Sequence, residues 1–279
     1  MKDKLILITG GSSGVGRAAA LGLSPLGARI VLLSRDPERG EHARRDLIEA
    51  TGNERIECIQ ADLAEWSSLR RVAGQFKQRY ERLDVLLNCA GVLYPKRTIS
   101  VEGLEMTLAV EFLGHFLLTH LLLETLRSSA PARILTVTGN AGPLRFARIH
   151  FDDLQLERGY GPLRAKLQAE LAKTLFAIRL ASRLQGSGIT SNAFHPGLVR
   201  SRLIRHLPWY LRIPASLPMT ALKREAGTAV YLASAAEMEG VSGRFFEGVG
   251  RERKVPYAET AADRLWDIAE SLTGLRSSD

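Results

Sequence analysis

The chain predicts an α/β fold: a doubly wound parallel sheet of about seven strands with helices on both faces. Two observations carry this expectation. Short apolar, often β-branched runs take turns with helix-length segments along the chain, and a glycine-rich turn follows the first run directly. Alternating units of this kind need right-handed crossovers, which set the strands parallel and cover both faces of the sheet with helices.

The first strand is Leu5 to Ile8, followed by a glycine turn and then the helix-forming Arg17-Ala18-Ala19-Ala20. Later strands are expected at Ile30 to Leu33, Ile56 to Gln60, Val85 to Asn88, Ile134 to Val137 and Ile189 to Phe194, with Gly243 to Phe246 as the last. The Pro-rich, aromatic stretch from Leu207 to Pro218 breaks the alternation and reads as a loop or lid over a ligand, within residues of about 200–222. No linker or internal repeat divides the chain, so one domain over 1–279 is expected.

The length of 279 residues suffices for one well-buried core. A formal charge of +8 suits an anionic partner, but the basic residues are dispersed and no nucleic-acid motif accompanies them, so no nucleic-acid partner is expected. A phosphorylated cofactor uses the charge more simply. Only Cys58 and Cys89 occur, with neither metal-ligand nor disulfide spacing, which predicts a metal-free, cytoplasmic protein. The apolar stretch at Phe116 to Leu123 falls far short of the ~20 residues of a membrane span, so it reads as a buried helix. No signal peptide precedes the first strand.

The strongest local motif is Thr9-Gly10-Gly11-Ser12-Ser13-Gly14-Val15-Gly16, between strand and helix. Glycines there let the backbone turn tightly and approach a pyrophosphate, which sits on the amides of the helix start, as in a Rossmann-type site. Gly10, Ser12, Ser13, Gly14, Val15 and Gly16 are the candidate ligands. The second strand ends in Ser34-Arg35, where an acidic residue would accept both ribose hydroxyls of NAD. Serine cannot do so, whereas Arg35 can pair with a 2′-phosphate, so NADP(H) is expected over NAD(H). Arg17 is either a second cation for that phosphate or a solvated helix residue.

With these residues in place, the chain resembles the short-chain dehydrogenase/reductase family, most closely its retinol-dehydrogenase-like branch. The match runs through the Thr9 to Gly16 loop, Asp62-Leu63, Asn88-Cys89-Ala90-Gly91, Gly114 to Thr119, Phe151 to Gln155, His195-Pro196-Gly197 and Leu265-Trp266. The resemblance implies that Asp62 with Leu63 contacts the adenine and that Asn88, Ala90 and Gly91 line the ribose. It also implies that Pro196, Gly197 and Ser201 hold the nicotinamide carboxamide.

The family transfers hydride between a nicotinamide and a carbonyl or alcohol, using an Asn/Ser/Tyr/Lys tetrad. By the same alignment this chain carries Glu111, Gly139, Lys166 and Glu170 at those four places. Thr138 precedes the serine position by one residue and should face away, because strand side chains alternate. Tyr160 and Arg164 have the tyrosine–lysine spacing, yet Pro162 suits a first helical turn, so Tyr160 should precede the helix.

Lys166 and Glu170, one helical turn apart, suit an ion pair. A sharper reading gives a partly buried Lys166 a lowered pKa as general acid or nucleophile, with Glu111 as general base. The expectation is an atypical enzyme performing non-redox acid–base chemistry, such as cyclisation, elimination, isomerisation or conjugate addition, on a small hydrophobic carbonyl compound. The alternatives are an NADPH-dependent carbonyl reductase with Lys166 as proton donor, and a catalytically silent cofactor-binding scaffold. Trp209, Tyr210, Leu211 and Ile213 suggest the hydrophobic substrate. By analogy with the family, apolar residues in Leu104 to Leu126 and Leu163 to Leu184 are expected to serve a homodimer or homotetramer.

Overall fold

A computed structural model describes residues 1–197 and 226–275. Seven strands form one parallel sheet: β1 (Leu5–Thr9), β2 (Arg29–Ser34), β3 (Ile56–Gln60), β4 (Val85–Asn88), β5 (Ala132–Val137), β6 (Ile189–His195) and β7 (Phe245–Glu247). Their order is β3-β2-β1-β4-β5-β6-β7, every neighbouring pair parallel. The reversal of strand order between β1 and β4 opens a crevice at their carboxyl ends, where ligands of such sheets bind.

The helices are α1 (Gly14–Leu23), α2 (Pro37–Thr51), α3 (Trp66–Arg79), α4 (Met106–Leu108), α5 (Gly114–Leu121), α6 (Leu123–Arg127), α7 (Ala141–Leu144), α8 (Pro162–Arg183), α9 (Gly227–Ser234) and α10 (Glu259–Thr273). Between α4 and α5, Ala109–Leu113 form a π-helical turn. Local chemistry explains the starts of several. The Asp36 carboxylate accepts from the Arg39 amide ahead of Pro37, and Glu105 accepts from the Thr107 and Leu108 amides. Pro162 opens α8, so Tyr160 precedes that helix as its spacing requires.

Strand alternation sorts the core into two layers. Leu5, Leu7 and Ile134 belong to the layer shared with Leu69, Phe116, Phe176 and Trp266, whereas Ile6, Ile8 and Leu135 belong to that shared with Ala19, Leu23 and Leu232. The stretch from Phe116 to Thr119 is buried, as expected of a core helix. Among the described residues no helix is long and apolar enough to cross a membrane.

One feature of the packing was not foreseen. Trp266 on α10 lies 5.0 Å from the Phe116 ring and 5.9 Å from that of Phe176, and Arg179 pairs with Asp263 at 2.6 Å. Part of the apolar surface of α5 and α8 that the sequence offers to a second subunit is therefore covered by the chain's own last helix.

Candidate active site

A cleft of about 460 Å³ opens at the carboxyl ends of the strands. Its floor is the turn after β1. Gly10 has φ +65°, and a Cβ there would stand 2.9 Å from Ala90 Cα, so only glycine lets the two loops meet. At Gly16 a Cβ would stand 2.8 Å from the Gly10 carbonyl, so that glycine packs helix against loop and faces no ligand. Ser13 precedes α1 without a side-chain cap, and the first turn carries no acid, so the amides at its positive end are left for an anion. This cradle fits a dinucleotide pyrophosphate.

Gly10, Ser13, Gly14, Val15, Arg35, Ala90, Gly91, Pro196 and Gly197 line the cleft, as the sequence predicts. The Tyr94 phenol beside Arg35 holds the guanidinium above its ordinary value against burial, with help from Asp62. Arg39, in the first turn of α2, lines the same end with its Nε 2.6 Å from Asp36, and the sequence reading did not include it.

Several expected ligands stand elsewhere. Ser12 Oγ is 3.2 Å from Ser34 Oγ, a contact that joins the turn to the end of β2. Asp62 caps its own turn by accepting from the Ala64 amide, and Leu63 is buried in the core. Asn88 is fully buried and its side chain reaches Thr119 Oγ1 at 3.3 Å, which ties β4 to α5. Arg17 pairs with Asp46 at 2.7 Å and is not among the residues that line the cleft. Ser201 and the loop at 200–222 lie outside the described residues.

At the inner wall, Glu111, Lys166 and Glu170 converge, joined by a fourth residue. Lys166 Nζ lies 2.6 Å from Glu111 Oε1 and 2.7 Å from Glu170 Oε1. Lys173 Nζ lies 2.8 Å from Glu111 Oε2 and 3.1 Å from Glu170 Oε2, the latter an ion pair outside hydrogen-bond geometry. The four side chains close a ring in which each carboxylate bridges both ammonium groups. Lys173 is 2% exposed and was not foreseen, although 166, 170 and 173 lie on one helical face by their spacing.

The ring's electrostatics overturn one expectation. Burial works against the Lys166 ammonium, but Glu111 and Glu170 outweigh it and raise its pKa instead of lowering it. Burial likewise works against the Glu111 carboxylate, and Lys166 and Lys173 outweigh it, holding the group at about 2. A lysine so held is no ready nucleophile, and a carboxylate so held is a weak base.

The ring is anchored to the nucleotide loop. The Val92 amide donates to Glu111 Oε1 at 3.0 Å. His115 Nδ1 lies 2.8 Å from the Glu111 carbonyl, which only accepts, so that nitrogen carries the proton. Its Nε2 then accepts from Thr9 Oγ1 at 2.9 Å, while Thr9 Oγ1 accepts from the Cys89 and Ala90 amides. Thr138 turns away as expected, its hydroxyl 2.8 Å from that of Thr174. Tyr160 donates to the Tyr94 carbonyl at 2.9 Å and Arg164 Nε to His150 at 3.1 Å, so those two form no proton-donor dyad.

A larger cavity of about 920 Å³ lies at the opposite, amino ends of the strands, beside Lys4, Asp84 and Arg133. None of the converging residues faces it. Among the described residues no cluster of His, Cys, Asp or Glu has the arrangement of a metal site.

Comparison with known proteins agrees with this geometry. The family model described as short chain dehydrogenase matches residues 4–150. Retinol dehydrogenase 14 of Mus musculus is 39% identical, over 99% of this chain and 87% of its own length. Retinol dehydrogenase 11 of Homo sapiens is 38% identical, over 99% and 87%. Among solved structures, an uncharacterized protein from Mycobacterium Paratuberculosis has a TM-score of 0.78 at 30% identity, covering 98% of this chain and 94% of that one. The Pseudomonas aeruginosa RhlG/NADP active-site complex has a TM-score of 0.70 at 27% identity, covering 90% and 96%. With the parallel sheet, the glycine turn and the cleft in agreement, the chain belongs to the short chain dehydrogenase family, in its retinol-dehydrogenase-like branch, whose members bind nicotinamide cofactors.

Proposed function

We propose that the protein is an NADP(H)-dependent oxidoreductase that reduces the carbonyl group of a small hydrophobic compound, with Lys166 facing the reacting oxygen in place of the family's tyrosine. One observation carries the reading. Lys166 lines the cleft with its ammonium hydrogen-bonded to Glu111 Oε1 and ion-paired with Glu170 Oε1, which leaves at least one of its three N–H donors for a ligand. Arg35 at the far end favours the 2′-phosphate of NADP, and RhlG, a structural relative, is an NADP complex.

A reduced nicotinamide bound in the cleft would supply the hydride. Lys166 then donates to the oxygen as negative charge develops there and passes it a proton, because an alkoxide is far more basic than an amine. The amine left behind regains a proton from solvent through the 17% of the side chain that stays exposed. The reverse reaction would need neutral Lys166 to accept an alcohol proton, and its two carboxylate partners oppose that form. The same pKa directions count against the non-redox acid–base chemistry that the sequence suggested, since neither Glu111 nor Lys166 is poised near neutrality.

A fluorescence titration with NADPH and NADH tests the cofactor half. Arg35→Ala should weaken NADPH binding by about tenfold or more and leave NADH nearly unchanged. NADPH oxidation with a panel of aliphatic and aromatic aldehydes tests the chemistry, and Lys166→Met should lower it by roughly a hundredfold or more while NADPH still binds. Saturable NADPH binding without turnover of any aldehyde would indicate a silent scaffold. Assembly as a homodimer or homotetramer, through what α10 leaves of α5 and α8, is the accompanying inference, and light scattering on the full chain checks it.

A further inference from the structure

We propose that Lys173 is the positioning residue of this site: its buried ammonium closes the ring so that each carboxylate presents one oxygen to Lys166. The inference rests on the reading of Lys166 given above and extends it to a residue that touches neither substrate nor cofactor.

Geometry supports the assignment. Glu111 is fully buried on the π-helical turn, and Glu170 is 9% exposed on α8. Two carboxylates this close to one ammonium would leave an excess negative charge in a buried site, which is costly. Lys173 supplies the missing charge from behind, through the second oxygen of each. The carboxylates are thereby held by both oxygens, and Lys166 Nζ is held between Oε1 atoms from two different elements. Its remaining donor points where those two bonds direct it. Lys173 thus fixes the direction of Lys166 without contacting what Lys166 serves.

The other titratable groups near the ring do not take over this role. His115 packs against it from α5, and burial lowers its pKa to about 4, so it stays neutral. Cys89, from the turn after β4, is partly buried, and desolvation pushes its thiol up and keeps it uncharged. Lys173 is the one further cation on the ring among the described residues.

Removing that cation has a signature that a merely structural lysine would lack. In Lys173→Met, two carboxylates share one ammonium, so one carboxyl takes up a proton with a folded pKa above its unfolded value. A group raised in this way stabilises the fold below its unfolded pKa, and the contribution is lost as pH rises through the folded pKa. Relative to wild type, Lys173→Met should therefore lose less stability near pH 5 than near pH 8. Its NADPH affinity should fall over the same interval as the ring loosens. The double variant Lys173→Met/Glu170→Gln restores charge balance and should abolish that slope.

The experiment measures denaturant unfolding and NADPH binding of the full chain from pH 5 to 9 for wild type, Lys173→Met and the double variant, with NADPH–aldehyde turnover recorded beside them. The expected result is a new pH dependence in the single variant that the double variant removes. A wild-type pH profile in Lys173→Met, or a slope that persists in the double variant, would overturn the proposal. If Lys173→Met fails to fold at pH 8, folding of the double variant there supports the proposal, and its failure too overturns it. Turnover absent in every protein with the pH pattern present would sink the catalytic reading of Lys166 and leave the positioning role standing.

Discussion

A Cβ placed on Gly139 would stand 3.3 Å from both Cβ and Cγ of Glu170. The glycine at the end of β5 and the glutamate on α8 are thus neighbours that must change together.

The first prediction follows from that contact. Gly139→Ser should destabilise the protein by about 1–3 kcal/mol through overpacking. In a double-mutant cycle with Glu170→Ala the penalty should shrink, giving a coupling of about 0.5–3 kcal/mol. Urea unfolding of the four proteins checks it, and additive effects would mean that the loop gives way instead.

Breaking the ring at its most buried carboxylate should cost more. Glu111→Gln leaves two ammonium groups around one carboxylate, so a loss of about 3–5 kcal/mol is expected at pH 7. Guanidinium denaturation would show it as a lowered midpoint with an unchanged slope. A loss under about 1 kcal/mol would place the pair in effectively aqueous surroundings.

Acid should unfold the protein in two separate intervals. His115 is lowered from 6.5 to about 4 by burial, so the unfolded chain takes up that proton first and stability falls as pH drops from 6.5 to 4. Glu111 is lowered from 4.5 to about 2 against burial by its two lysines, so its stabilisation is present above pH 4.5 and is lost as pH falls to about 2. Unfolding free energies at pH 8, 5 and 3 should decline stepwise. Glu111→Gln should flatten the lower interval and leave the upper one.

Much of the fold was legible because strand position is a local property. Each expected strand, from Leu5 to Ile8 through to Gly243 to Phe246, has its counterpart in the sheet within a few residues at either end. The glycine turn was equally plain, since the positive φ of Gly10 and Gly14 is a backbone demand that residue type answers alone. Arg35 was found by its place at the end of β2. Arg17, just as basic and just as near the loop, was spent on Asp46, and no local pattern distinguishes the two.

By itself, then, the sequence determined the α/β class, the strand order's starting point at the glycine turn, and the residue types gathered at the inner wall. Tertiary structure alone decided what those residues do to one another. The Asn88 side chain came to tie β4 to α5 through Thr119, and α10 came to cover part of the face expected to receive a second subunit. Lys173 closed a ring with Glu111 from 62 residues away, and Lys166 was raised where burial alone would have lowered it. The reason is physical: burial sets the cost of a charge locally, but its sign of shift depends on which opposite charges the fold brings within about 3 Å. That distance is a property of packing between elements and is not carried by any one of them.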